Sequence, residues 1–428
     1  MMDSATLSAP DALASAVRKV RWRLLPIFVV MFIVNYVDRV NVSFIKPQLE
    51  ASLGIGATAY GLGAGLFFWG YAVFEVPANL ALERMGARRW LTLIAAVWGA
   101  LAALLAFVRT KEEFYTLRFL LGAAEAGFFP GVVYTFTRWF PAAERGRAMA
   151  VFLSGSAIAS VISGPLSAAL LSLQGLGLQG WQWMVLLEGV FSVGMAGVLW
   201  YWLDALPADA RWLEPAERAA LTEAVESERA AAITRPRAGL GELLLDVRLL
   251  FFCWVYFAIQ LTIYAVTFWL PEIIRGMGGL SDLQVGLFNS IPWLISIAGM
   301  YLFAVAAARR PGQQGWVAVA LIVAGLGMFA ATFGGPVSGF TCICVSALGF
   351  KSAASLFWPL PQKELDPRIA AAGIALINSL GNLGGFVAPT AFGWIKETTG
   401  NVTWGLHGLA ASSLLTAALV LLVRFRRA

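Results

Sequence analysis

The sequence predicts an all-α membrane protein: twelve transmembrane helices arranged as two six-helix halves. Three observations predict it. Apolar residues make up 59% of the 428 residues and charged ones 13%, where a soluble domain has about 45–50% and about 25%. Seventeen Trp and 29 Phe exceed what one water-soluble core can hide. The charged residues also sit in short blocks between apolar runs, so the net charge of +6 fits membrane topology and not a nucleic-acid surface. A soluble enzyme is excluded.

A hydrocarbon core about 30 Å thick takes about 20 apolar residues per helix. On that ruler the first six spans fall at roughly 24–44, 57–82, 90–108, 113–139, 147–172 and 182–205. The second six fall at roughly 248–271, 282–307, 315–334, 337–361, 370–395 and 403–423. Between them, residues 207–246 hold Glu217, Glu223, Glu226, Glu228 and several Arg, the composition of a soluble linker. The expected organisation is therefore a half at 1–206, a cytoplasmic linker at 207–246 and a half at 247–428. If the N-terminus is cytoplasmic, 23 of the 31 Lys and Arg lie inside, five lie outside and three lie within spans. That bias places both termini in the cytoplasm. No cleavable signal is expected, because residues 1–20 lack an apolar stretch before a small-residue site.

Smaller features narrow the chemistry. The three Cys all fall in apolar runs and the single His407 cannot build a His-based centre, so neither metal nor cofactor is expected. Gly175-Leu-Gly177-Leu-Gln-Gly180 has dinucleotide-fingerprint spacing but follows a membrane helix instead of a strand, and is rejected. No phosphate loop is present, which argues against ATP-driven transport. The halves echo each other: Trp139 to Arg147 parallels Trp358 to Arg368, and Ala87-Arg-Arg89 parallels Ala308-Arg-Arg310. Two repeats around a midplane site is a transporter layout.

Several motifs carry a resemblance. Asn79-Leu-Ala-Leu-Glu83-Arg84-Met-Gly86-Ala-Arg88-Arg89 resembles the loop signature of the major facilitator superfamily, with Glu83 where the superfamily usually has Asp. Arg118, in Leu117 to Pro130, resembles its fourth-helix arginine motif. Asn35-Tyr-Val-Asp38-Arg39-Val-Asn41 and Asn378-Ser-Leu-Gly381-Asn382-Leu-Gly384-Gly385 resemble those of the anion:cation symporter family, which carries galactonate, tartrate, phthalate and hydroxyphenylacetate. The resemblance spans nearly the whole chain. It implies a proton-coupled importer of an organic carboxylate working by alternating access in a bacterial inner membrane. The expected partners are that small anion, protons and the lipid bilayer, with a single copy of the chain and no nucleic acid.

Ionisable side chains at membrane depth cost roughly 2.5–3.5 kcal/mol each, so they line cavities or pair with one another. Here they are Asp38, Arg39, Glu75, Arg118, Glu125, Glu188 and Lys351. Two arginines on a cavity suit a carboxylate, which a guanidinium binds through parallel charge-assisted hydrogen bonds. The resemblance implies that Arg39 and Arg118 handle the anion while Asp38 and Glu125 carry protons. The same four residues could instead neutralise one another and lock helices together. Glu75 and Glu188 fit structural roles better. Counting Arg39, Arg118 and Lys351 against ionised Asp38 and Glu125 leaves +1, room for a substrate whose second acidic or polar group meets Lys351. The resemblance adds Tyr36, Tyr71, Ser355, Trp358 and Asn378 as cavity lining, and Gln260 with Tyr264 shares one face of the seventh span. Arg88, Arg89 and Arg145 are expected to pair with Glu83 and Glu144 as a cytoplasmic gate of the outward-open state; the positive-inside bias alone explains them equally well. A proton-independent exchanger or an exporter on the same fold is the alternative function.

Overall fold

The computed structural model of the protein describes residues 9–233, 246–310, 312–365 and 370–423. Among them the regular structure is helical, apart from one isolated bridge between Gly175 and Leu178. The first body contains α1 (Ala9–Val40), α2 (Lys46–Leu53), α3 (Ala57–Met85), α4 (Ala87–Leu104), α5 (Lys111–Glu125), α6 (Phe128–Trp139), α7 (Ala142–Leu171) and α8 (Gly180–Trp202). A linker helix, α9 (Pro215–Ile233), follows. The second body contains α10 (Val247–Arg275), α11 (Asp282–Arg309), α12 (Gln313–Ala330), α13 (Pro336–Phe357), α14 (Pro359–Glu364), α15 (Ala370–Asn382), α16 (Gly384–Thr399) and α17 (Thr403–Leu422). Linker residues 234–245, and Arg368 of the repeat echo, lie outside the described residues.

Local chemistry sets the boundaries. The chain reverses between α3 and α4 on one residue, Gly86, at φ 77°, a conformation that side chains on Cβ disfavour. Thr110 caps α5 by accepting from the Glu113 amide, and Ser281 with Gln284 forms a capping box on α11. Asp246 accepts from the Arg248 and Leu249 amides to start α10.

Eleven stretches among the described residues are long and apolar enough to cross a membrane. Two of them are interrupted: α5 and α6 form one crossing broken at Ala126–Gly127, and α13 with α14 forms another broken at Trp358. The span expected at 370–395 differs from a single helix. It is divided at Leu383 into helices of 13 and 16 residues, neither long enough alone. Glycine explains the break: Gly381, Gly384 and Gly385 flank the joint, and Gly lowers helix stability by about 1 kcal/mol relative to Ala.

Within the first body α4 packs on α8, α3 on α5 and α1 on α7; within the second, α12 packs on α13 and α17, and α11 on α13. The bodies meet along α3 with α16 and along α7 with α11. These seams need glycine. A Cβ at Gly61 would strike the Pro389 carbonyl, and Gly164 and Gly286 are each pressed against the other's carbonyl. Ser290 Oγ donates to the Val161 carbonyl at 2.5 Å and Tyr60 Oη to the Phe268 carbonyl at 3.0 Å, both across the seam. All these contacts lie toward the end of the molecule remote from the termini. The same far end carries Lys46 to Glu272 at 2.9 Å, Lys396 on that same Glu272, and Glu397 accepting from the Thr58 amide at 2.8 Å. The molecule is closed there.

Candidate functional site

The centre of the first body is polar where a membrane protein is expected to be dry. Asp38 and Arg39 occupy the last turn of α1, just before the 3₁₀ turn Asn41–Ser43. Neighbours on a helix point about 100° apart, so the two side chains diverge. Arg39 Nη2 donates to Glu125 Oε2 and to Asn35 Oδ1, each at 3.3 Å. Glu125 is the last residue of α5, at the break before α6. Asp38 turns the other way and accepts from Ser192 Oγ of α8 at 2.7 Å. Arg118 is fully buried and donates through Nη2 to the Arg39 carbonyl at 3.3 Å. Phe67 presents its ring to both guanidiniums, 5.2 Å from Arg39 and 5.0 Å from Arg118, at distances where the ring quadrupole attracts a cation. Tyr71 adds a second face, 5.4 Å from Arg39.

Of the charged groups here, Arg39 alone keeps access: its side chain is 14% exposed, while that of Glu125 is wholly buried. Tyr264 of α10 faces Arg39 from the second body and also faces Lys351. Lys351 Nζ lies 5.3 Å from the Trp293 ring. Tyr264 thus stands between Arg39 of the first body and Lys351 of the second. Phe68 of the first body packs on the second, 4.3 Å from the Tyr264 ring and 6.0 Å from that of Phe268.

The other expected residues distribute unevenly. Tyr36 is buried beside Ser160 and Thr267, at the seam between the bodies. Gln260 donates to Asn382 Oδ1 at 3.0 Å, on the joint of α15 and α16. Asn378 lies beside Glu75, which accepts from Ser379 at 2.6 Å and so links α3 to α15 across the bodies. Trp358, at the α13–α14 break, packs on Tyr256 with ring centroids 4.8 Å apart. Ser355 is exposed and donates back to the Ser352 carbonyl within its own helix. The gate residues take partners other than those expected. Glu144 accepts from Arg21 at 2.6 Å, Arg145 reaches Glu228 of α9 at 2.8 Å, and Arg88 donates to the Trp200 carbonyl at 3.0 Å. Glu83 and Arg89 are exposed at that end.

Sequence reasoning did not single out Ser192, Asn41 as a hydrogen-bond donor, Phe67, Trp293 or Asn382. Spacing offers a signal for two of them: Asn41 is three residues after Asp38 and Ser192 four after Glu188, so each shares a face with a buried acid. Phe67, one of 29 Phe, had none.

The chain can now be set beside known proteins. Residues 28–389 match the Major Facilitator Superfamily. Over 423 residues the chain is 40% identical to a protein of Agrobacterium vitis named "Putative tartrate transporter", covering 98% of this chain and 96% of the relative. It is 39% identical over 409 residues to the quinolone resistance transporter of Acinetobacter baumannii, covering 95% and 94%. The inward open conformation of the xylose transporter XylE from E. coli superposes with a TM-score of 0.78, covering 95% of this chain and 97% of that one, at 13% identity, a likeness of fold alone. With the two helical bodies, the broken helices around buried charge and a family match over most of its length, the chain belongs to the major facilitator superfamily and is a membrane transporter, not an enzyme.

Proposed function

We propose that the protein imports an organic anion together with protons by alternating access. The observation that carries this reading is the state of Arg39. Its guanidinium is held by one buried carboxylate at 3.3 Å, yet its side chain keeps 14% exposure where Asp38, Arg118 and Glu125 are fully buried. A proton on Glu125 would free the guanidinium for a substrate carboxylate, and an arriving carboxylate would favour that proton by taking Glu125's counter-charge. Anion and proton then enter together, because each makes room for the other on one cation. Arg118, donating to the Arg39 carbonyl, positions α1 and keeps the local field positive; Asp38 is the second proton carrier. Tyr36, Tyr71, Gln260, Ser355, Trp358 and Asn378 complete the lining as the bodies move.

Lys351 gives the substrate its second contact. A dicarboxylate bridges Arg39 in one body and Lys351 in the other, so binding itself draws the bodies together. The relative named for tartrate supports a small organic anion. The excess of Lys and Arg on the linker side supports cytoplasmic termini, and on that reading the closed far end faces outward across a bacterial inner membrane. Residues 1–206 and 247–428 rock against each other, with Glu83, Arg88, Arg89, Glu144 and Arg145 exchanging partners when the cytoplasmic end closes. The relative named for quinolone resistance favours a second reading, an exporter or exchanger on the same frame.

Internal pH of proteoliposomes separates the two. Adding tartrate or a related carboxylate outside should acidify the interior with wild type and leave it unchanged with Glu125→Gln. Radiolabelled anion exchanging without any pH change in the wild type would establish the second reading and reduce Asp38 and Glu125 to structural groups.

A further inference from the structure

Outward of the Arg39–Glu125 pair, α1 and α8 form a two-rung polar ladder inside the first body. Asp38 accepts from Ser192 at 2.7 Å, and one turn farther out Asn41 Nδ2 donates to Glu188 Oε2 at 2.7 Å. Ser192 Oγ also lies 3.0 Å from the backbone carbonyl of Glu188, a contact within α8 that leaves the Glu188 carboxyl to Asn41. Asn41 is 1% exposed and Glu188 7%. Glu188 has an amide for a partner, not a cation. On its far side a cavity lined by Asn41, Leu49, Leu105, Phe114, Trp181 and Val185 separates the rung from the closed end.

Two oxygens in the outer rung, Glu188 Oε1 and Asn41 Oδ1, are buried without a protein hydrogen-bond partner. With Glu188 ionised both are acceptors and neither can satisfy the other. A proton on Glu188 makes its carboxyl a donor and its pairing with the Asn41 amide complementary. An ionised carboxylate buried without a cation is also among the costliest arrangements in a protein interior. The charged groups on the packing elements do not relieve it. Asp38 on α1 faces it and carries the same sign. Arg88 and Arg89 on α4, and Glu144, Arg145 and Arg147 on α7, stand in the first turns of their helices at the opposite end of the body.

We propose that Glu188 is a proton-holding site: its buried carboxyl stays protonated opposite the Asn41 amide, one rung outward of Asp38. The like charge of Asp38 opposes ionisation of Glu188 further. The protonation of Glu188 does not depend on the proton-symport reading above.

Infrared difference spectra of the purified full-length transporter in detergent, titrated across neutral pH without substrate, test the site directly. The wild type should show a protonated-carboxyl C=O band that Glu188→Gln diminishes, and Asn41→Leu should move that band's frequency while keeping its intensity. A full wild-type band in Glu188→Gln, or a band indifferent to Asn41→Leu, overturns the proposal; the Asn41 variant keeps the test open if the Gln variant does not fold.

Discussion

At the scale of single residues, the site depends on which of several buried charges keeps a free edge. Arg39 keeps 14% exposure, and Lys351 stands over Trp293 in the other body, with Tyr264 between the two. A charge-assisted hydrogen bond contributes about 1.5–3 kcal/mol, so Lys351→Ala should weaken dicarboxylate uptake roughly ten- to hundredfold and leave monocarboxylates nearly unaffected. Competition assays with matched mono- and dicarboxylates measure this, and an equal loss of both would remove Lys351 from the site. The residue types of this site were legible in the sequence because charge at membrane depth is scarce. Their pairing was not. Asp38 next to Arg39 invites a pair on paper, but helical rotation sends one to Ser192 and the other to Glu125, and only the packing of α5 and α8 on α1 decides that.

The element scale shows a similar division. Hydropathy located the crossings, because length and apolarity are local properties. It did not show that two of them are broken at Gly127 and Trp358, or that the stretch at 370–395 divides at Leu383, since a break is tolerated only where neighbours satisfy the freed backbone and polar groups. Asn382 at the last break, accepting from Gln260 on another helix, is information that no window along one segment contains. The linker helix α9 supplies an element-scale prediction. Glu217 is buried against α1, where Ser15 and Lys19 donate to it at 2.7 and 2.8 Å. Burial opposes its charge, but the Lys19 and Ser15 hydrogen bonds outweigh burial and hold the carboxyl below its ordinary range. A depressed carboxyl contributes its full docking strength above the ordinary carboxylate range and loses it as pH falls through the depressed value. The protection of α9 against hydrogen exchange, relative to the intrinsic amide rate at each pH, should therefore fall severalfold in acid, while Glu217→Gln is weakly protected at every pH. Wild-type protection that stays constant into strong acid would contradict this.

For the whole molecule, the two bodies meet through backbone. Gly164 and Gly286 touch without side chains between them, so the seam tolerates no added volume. Overpacking of this kind costs about 1–3 kcal/mol, enough to shift a two-state equilibrium roughly five- to hundredfold. Gly164→Val should push the population away from the far-closed state. Spin labels at positions 84 and 309, at the termini ends of α3 and α11, would then report a shorter distance than in the wild type. An unchanged distribution would mean that the seam yields locally and does not set the conformation.

The grip of α9 bears on where the chain can be divided. Besides Glu217 on α1, Trp212 stacks on Trp139 with centroids 5.9 Å apart, and Glu228 takes both the Ala142 amide and Arg145. All of these partners belong to the first body. Helix α9 therefore packs as part of the first body and not as a free connector. Two polypeptides made separately, one ending near residue 233 and one starting near residue 246, would each contain its whole rigid unit and should reassemble on co-expression. A cut at residue 206 would strand α9 on the wrong fragment, leaving Trp139, Lys19 and Arg145 uncovered on the other.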